Sequence, residues 1–251
     1  MSNRAFGVEI ECYAPDGESD GWGNEDGVDY SYDLLCKNRF SHWANLVSND
    51  ESLYGDNGGY GVEIKSPVLV APDGFDELTR VMEILQEKHY FVDRTCGMHV
   101  HLNAPEFIEN NRLIIKAVKA WKRNQETINS MVDDSRINGN HCPPWEDDDV
   151  ETLEEYLREG YGPDGTHRGS INVGSLPYHG TIEIRQHEGT LNPEEAIAWI
   201  KFCQAFIDTI TGGTVSKINN EELLLKRLKV ERNASRFLTT KARLKREAQQ
   251  R

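Results

Sequence analysis

Four stretches of the chain alternate apolar with ionisable residues: 6–12, 61–65, 98–102 and 181–187. A period of two predicts strands, in which side chains at i and i+2 share a face roughly 6.5–7 Å apart. Val8, Ile10, Val62, Ile64, Val100, Leu102, Ile182 and Ile184 then form a core-facing row. Glu9, Glu11, Glu63, His99, His101, Glu183, Arg185 and His187 form the opposite row. Helical spacing takes over between these strands. Phe75, Leu78, Val81, Met82 and Leu85 predict a helix over 73–89, and Leu113, Ile114, Ala117, Val118, Trp121 and Ile128 predict one over 110–132. A third begins with Asn192 as N-cap, Pro193 at the first helical position and Glu195 three residues after the cap. Its apolar face is Trp199, Ile200, Cys203, Phe206, Ile207 and Ile210, and Gly212-Gly213 ends it.

The weaker segments read as a strand over 43–48, a short helix over 150–157, strands over 170–175 and 180–187, and two closing helices after 221. Residues 33–38 fit either period. Glycine- and acid-rich stretches, 14–32 above all, read as loops. The order of elements predicts an α+β fold: a mostly antiparallel, curved sheet with helices packed on one face and a polar, metal-binding concave face. Residues 1–218 form the expected main domain and 219–251 a basic helical extension.

Charge sharpens this picture. The net charge is −14, but residues 219–251 carry ten Lys/Arg against four Asp/Glu, which leaves −20 on residues 1–218. An acidic body argues against a broad nucleic-acid groove. The basic tail reads as a solvated helix or as a contact for an acidic partner or nucleic acid. No apolar run approaches the roughly 18–20 residues of a membrane span, and the N-terminus lacks the apolar region of a secretory signal. The five cysteines form no Cys-x-x-Cys pair, so a reducing cytoplasm is the expected location.

An ordinary solvated strand face mixes Thr, Lys, Ser and Gln. Here three strands offer carboxylates, one offers imidazoles, and an arginine stands beside the last acid. Crowded carboxylates raise one another's pKa values and are costly to desolvate; divalent cations remove the conflict. Carboxylate oxygens with an occasional imidazole suit Mg²⁺ or Mn²⁺. A guanidinium beside a metal-bound carboxylate suits a phosphoryl group. Taken alone, each motif is commonly a solvated face or an ion pair. Two other readings of the same residues stay open: a zinc or manganese hydrolase built on His99, His101 and His187, and a non-catalytic protein that binds nucleotide or peptide.

Residues 96–101, Cys-Gly-Met-His-Val-His, resemble the Gly-Met-His-x-His segment of glutamine synthetases. The fuller pattern is similar to the amidoligase family, carboxylate–amine ligases related to glutamine synthetase and glutamate–cysteine ligase. Its elements appear in order over about residues 5–210: Glu9 and Glu11, Trp43 with Asp50-Glu51-Ser52, residues 63–67, residues 97–101, Arg168 with Asn172, and residues 183–192. The resemblance implies a glutamine-synthetase-like catalytic half-barrel and ATP with Mg²⁺ or Mn²⁺ as cofactors. It implies that Glu9, His99 and Glu183 hold the metal on the nucleotide phosphates, and that Glu11 and Glu63 hold one nearer the acid substrate. His101, Arg185 and Arg168 would contact the nucleotide, Arg185 would also steady the transferred group, and Asp50 would serve as the base. The partners are a small-molecule or peptide carboxylate and an amine. Lys65 shares the face of Glu63 where larger relatives place a second acid. No Walker-type loop is present, so nucleotide binding is expected on the sheet. Specificity is expected in the 14–32 and 138–169 loops, and the oligomeric state is left open.

Overall fold

Six strands form one open antiparallel sheet, in the order β2-β3-β1-β4-β6-β5. The strands are β1 (Phe6–Ala14), β2 (Val47–Asn49), β3 (Tyr60–Lys65), β4 (Gly97–Asn103), β5 (Ile171–Asn172) and β6 (Thr181–Glu188). These come from a computed structural model, which describes residues 2–15, 27–53, 59–137, 142–163 and 169–250. The apolar row found in the sequence is buried on one side of the sheet. Helices α3 (Asp73–Glu87), α5 (Asn111–Asn129) and α8 (Pro193–Gly212) join it in one hydrophobic core. The fold is therefore α+β, with an antiparallel sheet.

The predicted stripes explain which helix face is buried. Leu78, Val81, Met82 and Leu85 of α3 face inward, as do Ile114, Ala117, Val118, Trp121 and Ile128 of α5. Asn110 caps α5 by accepting the Leu113 amide. Helix α8 is buried around most of its circumference, because the sheet, α3 and α5 lie on one side and α10 (Arg232–Gln249) lies on another. The Asn192 side chain accepts from the Glu194 amide at its start, as expected. Glu195 does not close a capping box: its carboxylate accepts from the Thr190 hydroxyl and pairs with Lys241, while Thr190 accepts the Asn192 amide.

The closing helices are α9 (Glu221–Arg227) and α10. The apolar stripe of α10, Ala234, Leu238 and Ala242, is part of the main core. On its other side Lys245 donates to the carbonyls of Asn129 and Val132 and pairs with Asp134. Helix α10 thus grips the end of α5 and the 3-10 turn Asp134–Arg136 behind it.

Four local expectations are corrected. Residues 27–32, read as the end of a loop, and 33–37, which fitted either period, form one helix, α1 (Gly27–Lys37). The strand expected over 43–48 is split: Trp43 sits in the short helix α2 (Ser41–Ala44), fully buried and donating through Nε1 to Glu77, and only Val47–Asn49 is extended. The strand expected over 170–175 is limited to Ile171–Asn172, because Ser175 and Pro177 turn the chain into α7 (Leu176–His179). The helix around Val150 starts earlier than expected, at Asp147: α6 (Asp147–Arg158) opens on three aspartates with a capping box between Glu146 and Asp149, where the helix dipole favours acids. The short α4 (Pro105–Ile108) follows β4. No helix among the described residues is long and apolar enough to cross a membrane.

Candidate metal centre

Strand register builds the site. Pairing of β1 with β3 sets Glu11 opposite Glu63 and Glu9 opposite Lys65. Pairing of β1 with β4 sets Glu9 opposite His99, and β4 with β6 sets His101 opposite Glu183. Residues far apart in the chain therefore meet on the face turned away from the helices. His99 lies at the centre and is only 2% exposed. Its Nδ1 is 3.1 Å from Glu9 Oε2 and 3.6 Å from Glu183 Oε1, and its Nε2 is 3.3 Å from Glu11 Oε1. His101 Nε2 is 3.3 Å from Glu9 Oε1 and 4.0 Å from Glu183 Oε1.

Three overlapping donor sets result. Glu9, Glu63 and His99 offer atoms all within 4.8 Å of one another; so do Glu9, His101 and Glu183, and so do Glu11, Asp50 and Glu63. Asp50 therefore stands with the carboxylates Glu11 and Glu63, where its Oδ1 also accepts the Ser52 amide and hydroxyl. Glu63 pairs with the Lys65 ammonium at 2.5 Å, and Lys65 also donates to Ser48. Glu183 accepts from Asn172 Nδ2 at 2.7 Å and pairs with Arg185. Arg168 lies outside the described residues.

The donor set fits a divalent cation. The Nε2 atoms of His99 and His101 are buried and have no hydrogen-bond partner among the described residues. The carboxylate oxygens 3.3 Å away are near enough to attract them, yet they sit off the hydrogen-bonding direction. Buried polar atoms ordinarily find partners, and a shared cation supplies one to nitrogen and oxygen alike. Electrostatics agrees. Burial alone would raise the Glu9 pKa, but His101 and His99 on either side hold it far below the carboxylate range. Burial raises Glu63, and the neighbouring Glu9 charge adds to that. For His101, burial is outweighed by Glu9 and Glu183, which raise it. Glu9 is thus held ionised by the two imidazoles, while Glu63 is raised by burial and by the Glu9 charge despite its pairing with Lys65.

His187 does not join this face. Val100 pairs with Ile184 and Met98 with His187, so one residue of β4 spans two of β6, Arg185 and Gln186. This β-bulge breaks the alternation. Gln186 and His187 both turn to the helices: Gln186 accepts from Trp121 and Gln125, and the fully buried His187 ring packs 5.0 Å from Trp199. His187 Nδ1 donates to the Glu188 carbonyl, and its Nε2 faces Lys241 at 3.4 Å. The three histidines expected for a hydrolase therefore do not converge.

One residue of the site carried no sequence motif. Arg136, in the 3-10 turn after α5, lays its guanidinium over the α-carbon of Gly97 on the polar face. A Cβ on Gly97 would come within 2.6 Å of Nη2. The signal was Gly97 itself, since a glycine inside a strand often marks the close approach of another group. The Gly97 amide in turn donates to Glu11 at 2.5 Å.

Strand-borne carboxylates and imidazoles gathered around cation positions, with arginine at the edge, define a candidate metal-dependent enzyme site on an α+β sheet. The family model described as "Putative amidoligase enzyme" matches residues 24–207, and the chain belongs to that family. It is an enzyme of the amidoligase kind. The matched span includes Glu63, His99, His101, Glu183 and Arg185; Glu9 and Glu11 precede it. No curated protein matches the chain.

Proposed function

We propose that the protein is an ATP-dependent carboxylate–amine ligase that forms an amide or isopeptide bond through an acyl phosphate. The observation that carries this reading is the convergence of Glu9, Glu63, His99 and Glu183, with two unpartnered imidazole nitrogens, in a chain of the amidoligase family. Mg²⁺ or Mn²⁺ held by Glu9, Glu11, Glu63, His99 and Glu183 would neutralise phosphate charge. Phosphoryl transfer needs mainly such neutralisation and positioning.

The chain's own groups supply the rest. His101, between Glu9 and Glu183, is placed to donate to a phosphate oxygen. Arg185, steered by its ion pair with Glu183, steadies the γ-phosphoryl group as it passes to the substrate carboxylate. Asp50 takes the proton that the attacking amine must lose, and phosphate then leaves the acyl carbon. The substrates are a small-molecule or peptide acid and an amine. The five free cysteines agree with work in the cytoplasm.

ADP release measured with Mg²⁺ across panels of acids and amines tests this. The ligase reading expects release that requires an acid and an amine together. ATP–Mg²⁺ that raises the melting temperature without any turnover across the panel would instead favour a nucleotide-binding relative.

A further inference from the structure

Arg136 is a buried cation with no counter-ion among the described residues. The residue is 3% exposed, and no carboxylate lies within 4.0 Å of its guanidinium among the described residues. Among the described residues its side chain makes one hydrogen bond, from Nη2 to the carbonyl of Arg185 at 2.9 Å, and its buried Nε has no partner there. A guanidinium stays protonated at any physiological pH, so the charge cannot be shed as a lysine's can. A neutral carbonyl does not offset it, and an uncompensated buried charge is costly.

Its position gives the cost a purpose. Residues 97, 99 and 101 of β4 share the polar face, so the guanidinium over Gly97 occupies the floor of the site. Glu11 lies against the Gly97 amide, at the end of the face assigned to the acid substrate. The bond from Arg136 to the Arg185 carbonyl sets the guanidinium beside the β6 residue whose own side chain pairs with Glu183. The geometry points to Arg136 as an anion-binding residue. We propose that it binds an oxyanion of a reactant, either the transferred phosphoryl group or a carboxylate of the acid. The inference rests on the ligase reading. It also explains the glycine of the Gly-Met-His-x-His segment: a methyl group there would evict the guanidinium.

Two variants test it, Arg136→Met and Gly97→Ala. The first removes the charge, and the second keeps the charge but displaces it, so Gly97→Ala carries the test if Arg136→Met does not fold. Mn²⁺ affinity is read by electron paramagnetic resonance. Inorganic phosphate and acetate are then titrated separately into the Mn²⁺-loaded protein by calorimetry. We expect Mn²⁺ affinity within about twofold of wild type and anion affinity weakened at least about tenfold, as for loss of a charge-assisted hydrogen bond. An effect confined to phosphate assigns Arg136 to the transferred group; one confined to acetate assigns it to the acid. Anion binding equal to wild type in both variants, or no anion binding by Mn²⁺-loaded wild type, overturns the proposal and leaves the ligase reading standing. Wild type that fails to bind Mn²⁺ overturns the ligase reading and this inference with it.

Discussion

Met98 and His187 stand directly opposite each other across β4 and β6, so the His187 ring lies on the helix side of the sheet against Trp199. The bulge at Arg185 and Gln186 separates His187 from the Glu9–His99 cluster. A His187→Gln protein should therefore bind Mn²⁺ within about twofold of wild type, while losing about 1–3 kcal/mol of stability because buried partners are left unmatched. Mn²⁺ titration and urea unfolding of the same variant check both halves. A large loss of metal affinity would place His187 in the metal centre.

Glu9 and Glu63 are each shared by two of the three donor sets, and Glu9 touches both imidazoles. Glu9→Gln should weaken Mn²⁺ binding by about 10–100-fold or more, the range lost when even the hydrogen-bond partners of metal ligands are removed. Electron paramagnetic resonance of free Mn²⁺ measures this directly, and unchanged affinity would take Glu9 out of the centre.

Behind the sheet, Lys241 joins His187, Glu188 and Glu195. Burial lowers the His187 pKa below its ordinary 6.5, helped by the Lys241 charge. Burial alone would raise Glu188, but His187 and the Lys241 ammonium hold it at about 2, below its ordinary 4.5. Both shifts have the same sign. The unfolded chain takes up protons that the folded one refuses, so stability is lost as pH falls. The loss should begin below pH 6.5 through His187 and steepen between 4.5 and about 2 through Glu188. Urea midpoints across this range should fall in wild type, and the decline just below 6.5 should flatten in His187→Gln. An equal slope in both proteins would contradict the assignment.

Gln186 ties β6 to α5. Its carbonyl accepts from Trp121 and Gln125, and its amide donates to Asn129. Gln186→Leu would leave the buried Trp121 indole N–H unpaired, while Gln125 and Asn129 keep the hydrogen bond between them, at a cost of about 1–3 kcal/mol. Metal affinity should stay near wild type, since the side chain faces the helices. Chemical unfolding beside Mn²⁺ titration separates the two effects.

Much of this centre was legible because a strand's period is fixed. Alternation alone placed Glu9, Glu11, Glu63, His99, His101, Glu183 and Arg185 on one face, and the pairing register then brought them together. Helical stripes located α3, α5 and α8 in the same way. The bulge was not legible, because Gln186 and His187 are polar and fit the alternating pattern whichever way they point. Trp43 was read as a strand residue, although Phe40, Trp43 and Ala44 have the spacing of a helical turn. Arg136 closes a 3-10 turn of three residues, too short to show a period, and only the glycine beneath it hinted at its approach. Glu195 followed the capping pattern in sequence, yet the Lys241 ammonium from α10 drew its carboxylate elsewhere.

The central claim is that the polar sheet face gathers divalent cations for phosphoryl chemistry. Anomalous diffraction from crystals grown with Mn²⁺ and a non-hydrolysable ATP analogue addresses it most directly. The account predicts manganese peaks coordinated by Glu9, Glu63, His99 and Glu183, with the analogue's phosphates toward His101 and Arg185. Manganese found only at His187, Glu188 and Glu195, or no peak on the polar face, would contradict it.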